Sequence, residues 1–307
     1  MELEFLRWIA DRFPSPESPL VRVGIGDDAA VLAGDERHDL VITTDMFLDG
    51  AHFDLCQTEP QLVGRKALAA NLSDLAAMAA EPLAAFVSVG LPSDNAASLA
   101  RLLYEGMAPL AERYRCPVLG GDTNCWSGRL VINVCLVGRC PAGRAWLRSG
   151  ARPGDEIVVS GPLGGSILGK HFQFEPRVSL ALYLRDRYQV HACCDISDGL
   201  ALDLWRICQA SRCGAVVEAE RIPIADAAYR QSAHSGRTPR EHALSDGEDF
   251  ELLLAVSPDE QKRMLADPQL QGQIFPIGRF CSERGLWMEE QGSRTVLQPV
   301  GYEHGRS

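Results

Sequence analysis

Along the chain, short runs of β-branched and aliphatic residues alternate with longer stretches whose apolar positions recur every three or four residues. Residues 21–25, 39–44, 84–91, 116–120 and 129–138 have the β-branched content and flanking turn residues of strands. Between them, residues 61–80 repeat Leu68, Leu72, Leu75 and Ala79 at helical spacing, and Glu81-Pro82 ends the run. Residues 95–114 do the same with Leu99, Leu103, Met107 and Leu110, and Pro109 inside that pattern predicts a kink or an early end.

A second block opens in the turn-rich stretches 141–143 and 149–155. Residues 156–161, 215–219, 250–256 and 274–278 read as strands. Residues 198–212 read as a helix with Leu200, Leu204 and Ile207 on one face, capped by Ser197 or Asp198 and stopped by Gly214. The pattern predicts an α/β (α+β) protein of two domains, residues 1–140 with a mixed sheet and helices and residues 141–307 as a second α/β domain.

Composition narrows this picture. The chain has 307 residues, 46% hydrophobic and 23% charged, the balance of a globular enzyme. Its 41 acids against 30 bases give a net charge of −11, which argues against nucleic acid or an anionic membrane as partner and permits cation binding. The first 13 residues carry acids and no apolar signal region, and no run approaches the ~18 apolar residues of a membrane span. The ten cysteines form no C-x-x-C pair, so reduced thiols in the cytoplasm are expected.

Two motif matches fail on chemistry. Gly24-Ile25-Gly26-Asp27-Asp28-Ala29 fits a dinucleotide fingerprint, but its two carboxylates would repel a pyrophosphate and no crossover helix has room to follow. Gly164 to Lys170 fits part of a P-loop, but His171 replaces the Ser/Thr that holds Mg²⁺. The stronger signal is a series of carboxylates at strand ends and helix starts: Asp27-Asp28, Asp45 beside Thr43 and Thr44, Asp122 after Gly120-Gly121, Asp195 and Asp198, and Glu248-Asp249. Asp74 lies inside the 61–80 helix among Leu and Ala, where a carboxylate is costly unless compensated. Each alone reads as a turn former or a cap. Together they read as a hard-cation site of the kind that holds nucleotide phosphates.

These residues, with Lys66-Ala67-Leu68-Ala69-Ala70-Asn71-Leu72-Ser73-Asp74, Gly120-Gly121-Asp122-Thr123, Arg148-Ser149-Gly150-Ala151, Asp195-Ile196-Ser197-Asp198-Gly199 and Gly247-Glu248-Asp249-Phe250, resemble the thiamine-monophosphate kinase family, within the ATP-binding superfamily of aminoimidazole ribonucleotide synthetase, over nearly the whole chain. The resemblance implies Mg²⁺- and ATP-dependent phosphorylation of thiamine monophosphate to thiamine diphosphate, with direct transfer and no phosphorylated protein residue. It implies a homodimer formed through the N-terminal domain. By position it implies metal ligation by Asp28, Thr43, Thr44, Asp45, Asp74, Asp122, Asp195 and Asp198, with Asp27 in support. It implies ATP contacts from Tyr104, Gly121, Asp122, Arg148 and Ser197, and substrate contacts from His52, Glu248 and Tyr302. One departure stands out: residues 166–175 are shorter than the family's usual helical segment.

The alternatives are another ATP-using enzyme of the superfamily and a non-catalytic nucleotide-binding protein. A selenophosphate synthetase would want a reactive N-terminal cysteine, whereas Cys56 is the first here; a hydrogenase-maturation relative would want a C-terminal cysteine. An intact set of costly carboxylates argues against a non-catalytic protein. Setting aside the eight acids Asp27, Asp28, Asp45, Asp74, Asp122, Asp195, Asp198 and Glu248 leaves 33 against 30 bases, so most of the net charge belongs to the expected site.

Overall fold

The computed structural model describes residues 18–302 together with residues 5, 8, 9 and 11–14. Six strands form the first sheet: β1 (Val21–Val23), β2 (Ala30–Ala33), β3 (His38–Leu48), β4 (Glu81–Pro92), β5 (Val118–Trp126) and β6 (Val131–Pro141), in the order β1-β2-β3-β6-β4-β5. All neighbours are antiparallel except β4 and β5, which the helix α2 (Ala96–Arg113) connects. Period-two alternation sets the faces. Val41, Thr43 and Phe47 of β3 and Ile132, Val134 and Leu136 of β6 point inward, whereas Thr44, Met46 and Leu48 point out.

The inward face is covered by α1 (Pro60–Ala77). This helix is apolar nearly all round, and such a helix is stable only when enclosed on every side. The sheet, α2 and the second half of the chain enclose it. Gly64 and Gly106 let α1 and α2 meet backbone to backbone: a Cβ would lie 2.0 Å from Leu103 O at Gly64 and 1.8 Å from Gln61 O at Gly106.

The second sheet contains β7 (Glu156–Val159), β8 (Val190–Asp195), β9 (Gly214–Glu218), β10 (Leu252–Val256), β11 (Phe275–Cys281), β12 (Leu286–Glu290) and β13 (Ser293–Val296), in the order β13-β12-β9-β11-β7-β10-β8. Its helices are α3 (Lys170–Gln173), α4 (Val178–Arg187), α5 (Leu200–Ser211), α6 (Asp226–Ser235), α7 (Pro239–Ser245) and α8 (Pro258–Ala266). The two halves share a core. Leu252, Leu254 and Val256 of β10 join the cluster around α1, while Leu253 and Ala255, pointing the other way, pack with α5.

Several elements differ from the sequence reading. β3 runs on to Leu48 and β5 to Trp126, so Asp45 and Asp122 lie within strands rather than after them. α2 continues through Pro109, which sits on its exposed side. α5 is capped neither by Ser197 nor by Asp198. Gly199 is its N-cap residue, and buried Asp203 reaches back to accept from the N–H groups of Asp198 (2.9 Å) and Gly199 (3.1 Å). The helix stops at left-handed Arg212, and Gly214 already belongs to β9. Among the described residues, no helix is long and apolar enough to cross a membrane, and all ten cysteines are free thiols.

Candidate active site

Asp28, Asp74 and Asp195 arrive from the β1–β2 connection, α1 and the end of β8, and one oxygen of each lies within 4.8 Å of the others. The Thr43 hydroxyl donates to Asp74 (2.6 Å) and the Ser73 hydroxyl to Asp195 (2.6 Å). The Arg148 guanidinium ion-pairs with Asp28 and its backbone N–H donates to Asp27 (3.1 Å). One oxygen of Asp28 is nevertheless buried with no hydrogen-bond partner, as is Arg148 Nε.

Electrostatics mark this as an acid cluster under strain. Burial, then the charges of Asp45, Asp195 and Asp28, hold Asp74 well above the usual carboxylate range. Burial and then Asp28 do the same to Asp195. Asp45 is pushed up to about 6 by burial, with Asp198 and Asp28 adding to it, and Asp27 to about 6 by burial and Asp28. Converging hard oxygens, a spare buried acceptor and unrelieved like charge fit a divalent cation such as Mg²⁺.

A cleft of about 1440 Å³ between the halves is lined by Asp45, whose charge acts on Asp74, and by His52, Ser197, Asp198, Glu248 and Tyr302. Tyr302 is tethered through its N–H to Asp198 O (2.9 Å), and Asp198 ion-pairs with Arg206 (2.5 Å). The Glu248 N–H donates to Ser197 O (2.7 Å), which ties those two loops together. The Leu48 N–H donates to His52 Nδ1 (3.0 Å), which leaves the proton of a neutral ring on Nε2.

Four expected residues lie elsewhere. Thr44 points to the outer face of β3, where Asn133 Nδ2 donates to it (3.0 Å). Gly121 and Asp122 are exposed on β5, the edge strand three places from β3, about 14 Å at ~4.8 Å per strand. Asp122 accepts from Thr123 N and Asn124 Nδ2 (2.9 and 2.7 Å). Tyr104 is half-buried on α2. The discarded P-loop match is explained as well: the Gly164 N–H is taken by Asp249 (2.9 Å) and Lys170 by Glu251 (2.9 Å), so carboxylates stand where a phosphate would have to bind.

Sequence reasoning missed Lys66, whose ammonium pairs with Glu248 (2.5 Å), and Ser73 behind Asp195. A signal for Lys66 existed. Lys66, Ala70 and Asp74 are spaced four apart, so they form one stripe of a helix rich in Leu and Ala. Ala70 also lines the cleft, and the stripe from Lys66 to Asp74 is roughly 12 Å long. The shortened segment forms the single-turn α3 and is pinned to the first half. Arg65 donates to Phe172 O (2.9 Å) and Phe174 O (2.6 Å), and Tyr114 to Pro176 O (2.9 Å).

This fold, with its interdomain cleft and acid cluster, defines an AIR synthase related protein: the family model for the N-terminal domain matches residues 26–140 and that for the C-terminal domain residues 165–287. The thiamine-monophosphate kinase of Rhodopirellula baltica is 41% identical over 100% of this chain and 98% of its own length. A solved structure described as AaThiL complexed with AMPPCP and TMP superposes with a TM-score of 0.85 at 29% identity, covering 99% of this chain and 96% of that one. That of the thiamine-monophosphate kinase from Stenotrophomonas maltophilia K279a gives 0.74 at 30% identity, over 95% and 96%. The chain belongs to the thiamine-monophosphate kinase family, as its motifs led us to expect.

Proposed function

We propose that the protein transfers the γ-phosphoryl group of ATP to thiamine monophosphate, giving thiamine diphosphate and ADP. The observation that carries this is the carboxylate cluster of Asp28, Asp74 and Asp195 together with a cleft lined by Asp45, His52, Glu248 and Tyr302. A family structure described as holding AMPPCP, a non-hydrolysable ATP analogue, together with TMP supports the pairing of donor and acceptor.

In this reading Asp28, Asp45, Asp74, Asp195 and Asp198, with the Thr43 hydroxyl, hold Mg²⁺. Bound there, the ions neutralise the triphosphate and the charge that develops on the transferred group. Ser197 and Arg148 contact ATP. Arg148 already lies against Asp28 and keeps one buried N–H unpaired, a donor suited to a phosphate oxygen. Positioning does the remainder: the acceptor phosphate attacks directly, so the protein supplies no nucleophile and its work is alignment and exclusion of water.

Thr44, Tyr104, Gly121 and Asp122 belong to this scheme through a homodimer. Met46, Leu48 and Phe86 are exposed apolar side chains on the outer face of the first sheet, and Leu119 and Trp126 on its edge strand, a surface that a second copy would cover. Residues 1–140 form the dimerising, ATP-binding domain and residues 141–307 complete the site. Ten unpaired thiols suit a cytoplasmic enzyme.

The test is product analysis. Purified protein given ATP, Mg²⁺ and thiamine monophosphate should form thiamine diphosphate and ADP in equal amounts. Absence of that product, with turnover of a different acceptor, overturns the reading.

A further inference from the structure

A buried cation, Lys66, stands against residues that line the cleft. The Lys66 side chain is 1% exposed. Its ammonium donates to the Glu248 carboxylate (2.5 Å) and to the His52 carbonyl (3.0 Å), and it lies 5.2 Å from the centre of the Phe172 ring. These contacts belong to three separate segments: the turn after β3, the loop before β10 and the short α3.

The loop before β10 is poorly determined by its own backbone. Glu248 and Phe250 both sit at positive φ, +52° and +51°, conformations that residues with a Cβ adopt only when their surroundings impose them. A buried ion pair is a weak source of stability, since apolar residues of similar volume often do as well. What it does supply is direction: the ammonium defines where the carboxylate and the carbonyl point. Lys66 also stands two turns from Asp74 on the same stripe of the rigid α1, so whatever it orients is held in register with the acid cluster.

We propose that Lys66 is a positioning residue for the acceptor, holding Glu248 and the His52 turn in the geometry that receives thiamine monophosphate. The inference rests on the reading above of Glu248 and His52 as acceptor contacts. Because Lys66 is enclosed, it acts through those groups and does not touch the substrate. Its loss therefore affects the acceptor and spares ATP.

The experiment is steady-state kinetics on Lys66→Met, Lys66→Arg, Glu248→Gln and the double variant Lys66→Met/Glu248→Gln, each with its melting temperature. In Lys66→Met the KM for thiamine monophosphate should rise about 10- to 100-fold, the range expected when a binding group is misplaced by about 1 Å. The KM for ATP should stay within about twofold. Lys66→Arg keeps the cation and should shift the acceptor KM in the same direction by less. The double variant removes both charges of the pair and should raise the acceptor KM by less than the product of the two single effects, because Lys66 works in part through Glu248. An unchanged acceptor KM, equal losses for both substrates, or additive effects in the double variant overturn the proposal; so does a Lys66→Met chain that fails to fold while Lys66→Arg folds with wild-type acceptor KM. Wild-type protein that makes no thiamine diphosphate overturns instead the functional reading beneath it.

Discussion

Asp74 shows at a single residue how the site trades stability for chemistry. It sits half-buried in a helix, beside Asp28 and Asp195, and accepts from the Thr43 hydroxyl. Burial and like charge oppose its ionisation, so the fold is working against itself unless a cation is present. Asp74→Asn removes the charge while keeping the shape. It should lower kcat at least about a hundredfold, because the lost metal interaction is worth several kcal/mol. The same substitution should raise the melting temperature measured in EDTA. An unchanged kcat removes Asp74 from the metal site; a lowered melting temperature in EDTA refutes the strain. The sequence disclosed half of this: an Asp among Leu and Ala was visible, but its two carboxylate neighbours come from positions 46 residues before and 121 after it.

At the scale of the element, α1 is the part on which the rest depends. One stripe carries Lys66 and Asp74, Ser73 reaches Asp195, and the remaining sides fill the shared core. Its packing on α2 has no slack at the two glycines. Gly64→Ala places a methyl group 2.0 Å from Leu103 O, which only separation of the helices relieves. Overpacking of this kind costs about 1–3 kcal/mol, and the urea midpoint should fall accordingly. A midpoint within error of wild type would show that the contact is looser than described. Helical periodicity made this element legible from its sequence. The cap of α5 was not, because Asp203 supplies it from inside the helix, whereas local pattern pointed to Ser197 and Asp198 just ahead of it.

For the whole molecule, the acid cluster sets how stability responds to pH. An acid whose pKa is raised on folding takes up a proton as the chain folds, so its contribution is greatest at low pH and is lost as pH climbs through the raised value. Asp45 moves from 3.8 to about 6, and Asp74 and Asp195 move in the same direction. Without divalent cations the melting temperature should fall as pH rises from about 4 through about 6. Saturating Mg²⁺ should flatten that fall, and identical slopes with and without Mg²⁺ would refute the cluster as a cation site. The proposed dimer makes a second prediction at this scale. Phe86 is 40% exposed on the outer face of the first sheet, so Phe86→Glu should give a monomer by light scattering and lose turnover with it. A dimer that survives the charge, or a monomer that remains fully active, places Thr44 and Asp122 outside the reaction.

The sequence by itself determined the kinds of element, the two-part organisation and the residues worth watching, because periodicity and turn chemistry are local and the family's motifs lie in short contiguous runs. Only the tertiary structure decided which of those residues meet. Register within β3 sends Thr43 inward and Thr44 outward, although they are neighbours in sequence. Strand order leaves Asp122 at an edge while Asp28, Asp74 and Asp195 converge. The pairing of Lys66 with Glu248 spans 182 positions and depends on the seating of one half of the chain against the other. Electrostatic cost and hydrogen-bond direction depend on such distances, and a chain fixes them only when its core closes.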